Sequence, residues 1–302
     1  MAPFFTIVIA TYNHAHLLPA CIQSILDQTF TDWEAIVVNN HSTDNTIGVV
    51  ESYHDNRIRI VPVHNDGILA KSRNVGIKEA KGKWICMLDS DDVWYPRKLE
   101  LVYNAISEHP EYDVIAHNLM MKNMKNGALV PMGGSPLKGN IYRELLIHRN
   151  LFGQTSLCYK AAFLSSKNLL FDESRDVVTV EDLDFSMRLA NEGAIFYRVM
   201  EYLGEWRLYG TNLSSSPIHV QNFYKLIHRH VYEIQKFDDN KDMLWRRVHA
   251  GALIKDANIY AHQKIIGKAS FLYLKAFLES PVQVYTYMKD RILLSVRRIK
   301  FK

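Results

Sequence analysis

The sequence predicts an α/β protein, with a mostly parallel central sheet flanked by helices and a helical C-terminal extension. Three observations lead there. Up to about residue 120, short apolar runs of strand type alternate with stretches whose apolar residues recur at helical spacing. Polar clusters follow the strand-type runs, at the carboxyl ends where open parallel sheets bind their ligands. From Gln221 onward the pattern becomes largely helical and rich in aromatic residues and histidine.

The elements follow in order. Phe5–Ile9 is a β-rich run, and Leu17, Leu18, Cys21, Ile22 and Ile25 then mark a helix. Ala35–Val38 is the next strand, followed by a helix starting near Asp44 that carries Ile47, Val50 and Tyr53. Ile58–Val61 repeats the strand signal, and Leu69 to Ala80 the helical one. Trp84–Leu88 is a fourth strand, with a helix entered at Pro96, a residue suited to a first helical turn. Tyr112–Ala116 reads as one more strand. Such alternation argues for parallel strands with helices on both faces. Between Met121 and Asn140, Gly127, Gly133, Gly134 and Gly139 with two prolines predict turns and a flexible connection. Residues 141–213 mix short helices and strands, and no internal repeat is evident.

Composition narrows the class. The 302 residues are 48% hydrophobic and 23% charged, as in an ordinary folded protein. A net charge of +4 gives no general case for nucleic-acid binding. Cys21, Cys86 and Cys158 are widely spaced and build neither a disulfide framework nor a zinc site, which fits a reducing compartment. The run Phe4–Ala10 lacks a basic leader, and no apolar run reaches the roughly 18–20 residues of a bilayer span. A cytoplasmic location is the expectation.

The stretch with the most chemistry is Trp84-Ile85-Cys86-Met87-Leu88-Asp89-Ser90-Asp91-Asp92, an apolar strand ending in three carboxylates. Acidic side chains two residues apart can face a hard divalent ion, whose other oxygen ligands are readily substrate phosphates. Acids ahead of the Pro96 helix, favoured by its dipole, are the structural alternative for the isolated triplet. After the first strand comes Ala10-Thr11-Tyr12-Asn13, for which helix capping alone would account. The second strand ends in Asn39-Asn40-His41-Ser42-Thr43-Asp44, more polar residues than one cap needs. Asn side chains carry both donor and acceptor, as the edge of a nucleobase requires. Asn65-Asp66-Gly67 and Arg73-Asn74-Val75-Gly76 follow the third strand, and Arg73 can pair with phosphate or a carboxylate cluster. Glu181-Asp182 opens a further helix, either complementing its dipole or supplying a general base. Trp206-Arg207-Leu208-Tyr209 with Asn212 lines a cleft or packs as ordinary structure; spacing alone does not choose. GxGxxG and GxxxxGK[ST] loops are both absent, against dehydrogenase-type dinucleotide binding and a P-loop.

Taken in order, these residues resemble the inverting family 2 glycosyltransferases with the GT-A fold, whose Rossmann-like sheet is mostly parallel. The resemblance runs from Phe5 to about Ser214 and rests on Thr6–Asn13, Ser42-Thr43-Asp44, Ala70–Gly76, Leu88–Asp92 and Glu181-Asp182. It implies a catalytic domain over 1–215, divided into a nucleotide-sugar-binding half (1–120) and an acceptor-binding half (121–215), with 216–302 as a helical C-terminal region. It further implies that Thr11, Tyr12, Asn13, Asn40, Arg73, Asp89 and Ser90 bind the donor. Asp91 would hold Mn²⁺ or Mg²⁺ on the diphosphate, and Asp182 would be the catalytic base. Glu181, Trp206 and Arg207 fall on the acceptor side. Family members often have an acidic pair where this chain has Asn39-Asn40; the Asn40 amide oxygen can still accept from a uracil imide, so a UDP-sugar remains the favoured donor. The Gln-x-x-Arg-Trp signature of processive synthases is missing, which points to single-sugar addition to a glycan or lipid-linked acceptor. A nucleotidyltransferase and a non-catalytic nucleotide-sugar-binding protein are the competing readings. The first lacks its Gly-rich basic loop, and the second sits badly with the retained Asp89, Asp91 and Asp182.

From Pro281 to Lys302 there are six basic residues and one acidic one, Asp290. With the apolar clusters of Phe271–Lys302, this suggests either packing onto the catalytic domain or a peripheral contact with anionic membrane.

Overall fold

A computed structural model describes residues 2–148, 151–210 and 217–289. These fall into two compact units, 2–145 with 151–223, and 146–148 with 224–289. The first unit is built on one sheet of nine strands among the described residues. Its strands are β1 (Phe5–Thr11), β2 (Trp33–Asn39), β3 (Ile58–Pro62), β4 (Trp84–Met87), β5 (Val93–Trp94), β6 (Val114–Asn123), β7 (Leu129–Met132), β8 (Cys158–Lys160) and β9 (Phe196–Leu208). Their order is β3-β2-β1-β4-β8-β6-β9-β5, with β7 paired to β6. The β3-β2-β1-β4 segment is parallel throughout, whereas β8 runs antiparallel to both β4 and β6.

The helices of this segment are α1 (Leu18–Leu26), α2 (Thr46–Glu51), α3 (Leu69–Glu79) and α4 (Lys98–Glu108). Side chains alternate along a strand, so β1 serves two faces. Phe5, Ile7 and Ile9 join Leu18, Cys21, Ile22 and Ile25 of α1 and Leu99 and Val102 of α4 in the main core. Val8 faces α3 instead. A Cβ on Gly76 would lie 2.2 Å from Val8 Cγ1, so glycine is what lets α3 approach the sheet this closely.

Several expectations change. Helix α4 begins at Lys98, two residues beyond Pro96, because Val93–Trp94 first pairs antiparallel with β9. The Met121–Asn140 stretch is not only connection: β6 continues through Asn123 and turns at Gly127 into β7. Residue 120 lies within β6, a strand of the same sheet. Thr11–Asn13 caps no helix. Thr11 is the last residue of β1, and α1 starts at Leu18 without a side-chain cap.

The remaining first-unit helices are α5 (Ile141–His148), α6 (Ala161–Ser166), α7 (Glu181–Asn191) and α8 (Pro217–Arg229), with α5 and α8 each running on into the second unit. The second unit also holds α9 (Lys241–His262) and α10 (Ile266–Glu279), joined through Ala250, Leu253, Ile254 and Ala276. Among the described residues no helix is long and apolar enough to cross a membrane.

All three cysteines are free and buried. Cys86 and Cys158 are register partners across β4 and β8, and the fully buried Lys98 ammonium donates to Cys158 Sγ at 3.0 Å beneath the Trp94 ring. His117 on β6 is buried as well, its Nδ1–H donating to the Asn118 carbonyl. Burial and the nearby Lys98 charge lower its pKa from 6.5 to about 3. Between those values the unfolded chain binds a proton that the native state refuses. The contribution is therefore complete above pH 6.5 and lost as pH falls toward 3, at about 1.4 kcal/mol per pH unit. Denaturant titrations across that window should show His117→Gln losing stability less steeply than the parent protein. Parallel curves would exclude His117 as the titrating group.

Candidate active site

The carboxyl ends of β1, β2 and β4 lie side by side, and the loops that leave them are tied together. Asn13, in the left-handed region at φ 52°, accepts from Thr43 N through Oδ1 at 2.8 Å, and its own N–H donates to Ser42 Oγ at 2.9 Å. Asp44 accepts from the Ala15 N–H and from the Thr46 N–H, at 2.9 and 3.1 Å. Asn39 is buried, and its Oδ1 takes both the N–H and the hydroxyl of Ser42. This polar run exceeds a helix cap because it stitches two loops into one rim.

Two features of the rim suit a ligand. Thr11 is 4% exposed, and its Oγ1 has no partner among the described residues. A buried hydroxyl left so costs free energy that an incoming polar group would recover. Beside it, Tyr12 is 53% exposed, an aromatic face held out toward solvent. Asn40 Oδ1 already accepts the Asn65 N–H at 2.9 Å, which leaves one lone pair on that oxygen and both amide protons.

The centre of the site is Arg73 of α3. Its Nη2 donates to Asp89 Oδ1 at 3.0 Å and its Nη1 to Glu181 Oε1 at 2.8 Å. Arg73 and Glu181 side chains are only 5% and 8% exposed, while Asp89 is 34% exposed. Burial alone would lower the Arg73 pKa, but Asp89, Glu181 and Asp182 more than reverse this and keep the guanidinium charged. Next in sequence, Asn74 grips the Phe171 backbone at both its N–H and its carbonyl, and donates to Glu173. Adjacent residues of one helix thus hold both the strand-end carboxylate and the segment that leads to α7.

Asp182 sits in the first turn of α7, its Oδ1 accepting its own helix's Leu183 N–H. It borders a narrow crevice with Leu151, Phe152, Gln154, Leu157 and Ser186. Burial raises its pKa above the usual carboxylate value, opposed by Arg73. Glu181 is raised likewise by burial, and its Oε2 has no partner among the described residues.

Asp91 and Asp92 follow in the β4–β5 loop. Asp92 is buried and accepts from the Thr155 hydroxyl and from the Arg207 N–H, the latter at 2.8 Å. Thr155 Oγ1 in turn accepts the Asp89 N–H at 3.2 Å. Asp92 therefore braces the loop, yet burial and repulsion from Asp91 and Asp89 raise its carboxyl well above the usual range, and burial, then repulsion from Asp89, pushes Asp91 up to about 6. Ser90 pairs with His14 Nδ1 at 2.7 Å. Arg207 lies beside this loop, its Nε donating to Glu205, and Trp206 is half-buried on β9.

Among the described residues no three His, Cys, Asp or Glu side chains converge as an all-protein metal cage. The donor set nevertheless fits Mn²⁺ or Mg²⁺. Asp91 is a hard oxygen donor in an excess of negative charge, and such ions are commonly held by one or two carboxylates plus substrate phosphates.

Sequence reasoning singled out Arg73, Asp89 and Glu181, which the structure joins directly. It missed the Asn74 clamp, the Asp92–Thr155 brace and the His14–Ser90 pair. Thr155 carries no local signal in the sequence, since its partners lie some sixty residues away.

The chain also matches known proteins. Residues 6–173 match glycosyl transferase family 2. A teichuronic acid biosynthesis glycosyltransferase of Bacillus subtilis (strain 168) is 26% identical over 218 residues, covering 71% of this chain and 82% of the relative. A UDP-Glc:alpha-D-GlcNAc-diphosphoundecaprenol beta-1,3-glucosyltransferase of Escherichia coli is 36% identical over 119 residues, 37% of this chain and 47% of that protein. Among solved structures, S. aureus TarS 1–349 in complex with UDP-GlcNAc superimposes with a TM-score of 0.68 at 23% identity, covering 90% of this chain and 79% of that one. The chain belongs to glycosyl transferase family 2, and its curled, mostly parallel sheet is that of the GT-A glycosyltransferases.

Proposed function

We propose that this family 2 glycosyltransferase moves a single sugar, with inversion, from a UDP-sugar to a hydroxyl of a lipid-linked or surface-polysaccharide glycan. The observation that carries the reading is the Arg73 bridge, which ties the strand-end Asp89 to the helix turn bearing Asp182. Thr11, Tyr12, Asn13 and Asn40 form the donor rim, with Ser90 held beside it by His14. The UDP preference is supported by the remaining lone pair on Asn40 Oδ1 and by the UDP-Glc named for the Escherichia coli relative. The acceptor class follows the names of the two relatives, one a teichuronic acid and one a diphosphoundecaprenol enzyme.

Asp182 takes the proton of the acceptor hydroxyl as that oxygen bonds to the anomeric carbon. The carbon–oxygen bond to the diphosphate breaks on the opposite side, and its electron pair leaves with UDP. Burial suits Asp182 to this role, since its raised pKa makes it a stronger base than a surface aspartate. Arg73 and Glu181 hold the site's geometry, and Arg207 adds positive charge beside the carboxylate loop. Asp91 would hold Mn²⁺ or Mg²⁺, which when bound neutralises charge on the departing diphosphate.

The test is release of nucleoside diphosphate from a panel of UDP-, GDP- and dTDP-sugars, with Mn²⁺ or Mg²⁺ and with EDTA. Release from a UDP-sugar, lost with EDTA and in Asp91→Ala, is the expected result. Turnover untouched by EDTA would remove the metal from the reading, and release from a GDP-sugar alone would remove uridine. An axial or equatorial linkage opposite to the donor's, read by NMR of the product, checks inversion.

A further inference from the structure

The outer face of α10 is apolar and, among the described residues, exposed. Ala269 and Ala276 turn inward, with Leu272 and Tyr273 packing toward Ala250, Leu253 and Ile254 of α9. Phe271, Leu274 and Leu278 turn the other way, at 63%, 58% and 74% exposure, on positions three and four apart that share one helix face. Beyond the break at Ser280, the helical residues 281–289 expose Val282, Tyr285 and Met288 as well. Exposed large apolar residues gathered on neighbouring helical segments mark an interaction surface.

The charges around it choose the partner. Lys264, Lys268, Lys275 and Lys289 are the charged residues among the exposed positions of 263–289, with no exposed Asp or Glu. The one acid in that span, Glu279, is turned in and paired with His249. The sequence continues past 289 with Arg291, Arg297, Arg298, Lys300 and Lys302 against Asp290 alone. Exposed apolar residues among lysines, with no exposed acid in 263–289, are complementary to an anionic lipid surface. A helix so built lies in the interface with its apolar face among the acyl chains and its lysines at the headgroups. A second copy of this chain would bring lysines against lysines.

We propose that the exposed face of α10 and of residues 281–289 docks this protein on an anionic bilayer surface. The surface lies wholly in the second unit and goes beyond the transferase reading, because it needs neither donor nor metal.

The experiment is co-sedimentation of the full chain with vesicles of phosphatidylcholine alone and of phosphatidylcholine with phosphatidylglycerol, at low and at high salt. Binding to the anionic vesicles, weakened by salt and absent with phosphatidylcholine alone, is the expected result. Phe271→Ser and Leu278→Ser, both at exposed positions, should each weaken it by about tenfold or more. Lys275→Glu should weaken it by about fivefold or more. No sedimentation with either vesicle, or equal sedimentation with both, would overturn the proposal. So would a parent protein that is dimeric by analytical ultracentrifugation, turns monomeric in Leu278→Ser and ignores vesicles; that face would then join two copies. Sugar-nucleotide turnover in solution is a separate readout, so loss of one assignment leaves the other intact.

Discussion

Asp182→Asn is expected to bind the nucleotide-sugar as the parent protein does and to transfer about 10²–10⁴-fold more slowly, the usual contribution of a positioned general base. Asparagine keeps the size and the oxygen that accepts the Leu183 N–H, so the α7 turn should stay in place. What it loses is the lone pair that takes the acceptor proton. The pH profile gives an independent check. Burial raises the Asp182 pKa, and a base works only when deprotonated, so transfer by the parent protein should fall as pH drops through that raised value. The variant's residual rate should lack this limb. Donor calorimetry and single-turnover transfer together decide it: full turnover in the variant would sink the assignment, and lost donor binding would make Asp182 a structural residue.

Arg73→Met should be the most damaging single change to the architecture of the site. Methionine fills much of the volume but leaves Glu181, 8% exposed, without its cation. Removing one partner of a buried pair strands the other charge and costs about 3–5 kcal/mol. Arg73→Lys should recover little, because one ammonium cannot replace a fork that reaches Glu181 Oε1 and Asp89 Oδ1 through different nitrogens. Combining Arg73→Met with Glu181→Gln should restore part of the stability, since the stranded charge is gone, yet leave transfer impaired because Asp89 and α7 are no longer joined. Urea titrations of the singles and the double measure the coupling. Losses in the two singles that simply add up in the double would mean that the pair is energetically idle.

Local chemistry explains what could be read ahead of the structure. The four parallel strands were visible because each is a short apolar run followed by a helix with its own spacing, both being properties of a few adjacent residues. The Asp89–Asp92 cluster was visible because carboxylates rarely crowd the end of a buried strand without a task. Helix capping at Thr11–Asn13 was a sound local reading that failed, because Ser42 and Thr43, some thirty residues away, claim Asn13 instead. Likewise β6 ran past the predicted Ala116 because β7 and β9 supply partners that its own sequence does not announce.

The sequence by itself determined the class of fold, the succession of strands and helices along the chain, and which residue types stand at the strand ends. Those depend on periodicity and on side-chain chemistry within a window of about a dozen residues. Tertiary structure decided which partner each acid finds. Asp92 is spent on Thr155 and the Arg207 backbone, Glu181 on Arg73, and Asp91 is buried against the repulsion of Asp89. A carboxylate's role is set by its burial and by the nearest opposite charge. For Glu181 that charge is Arg73, 108 residues away along the chain and 2.8 Å away in space.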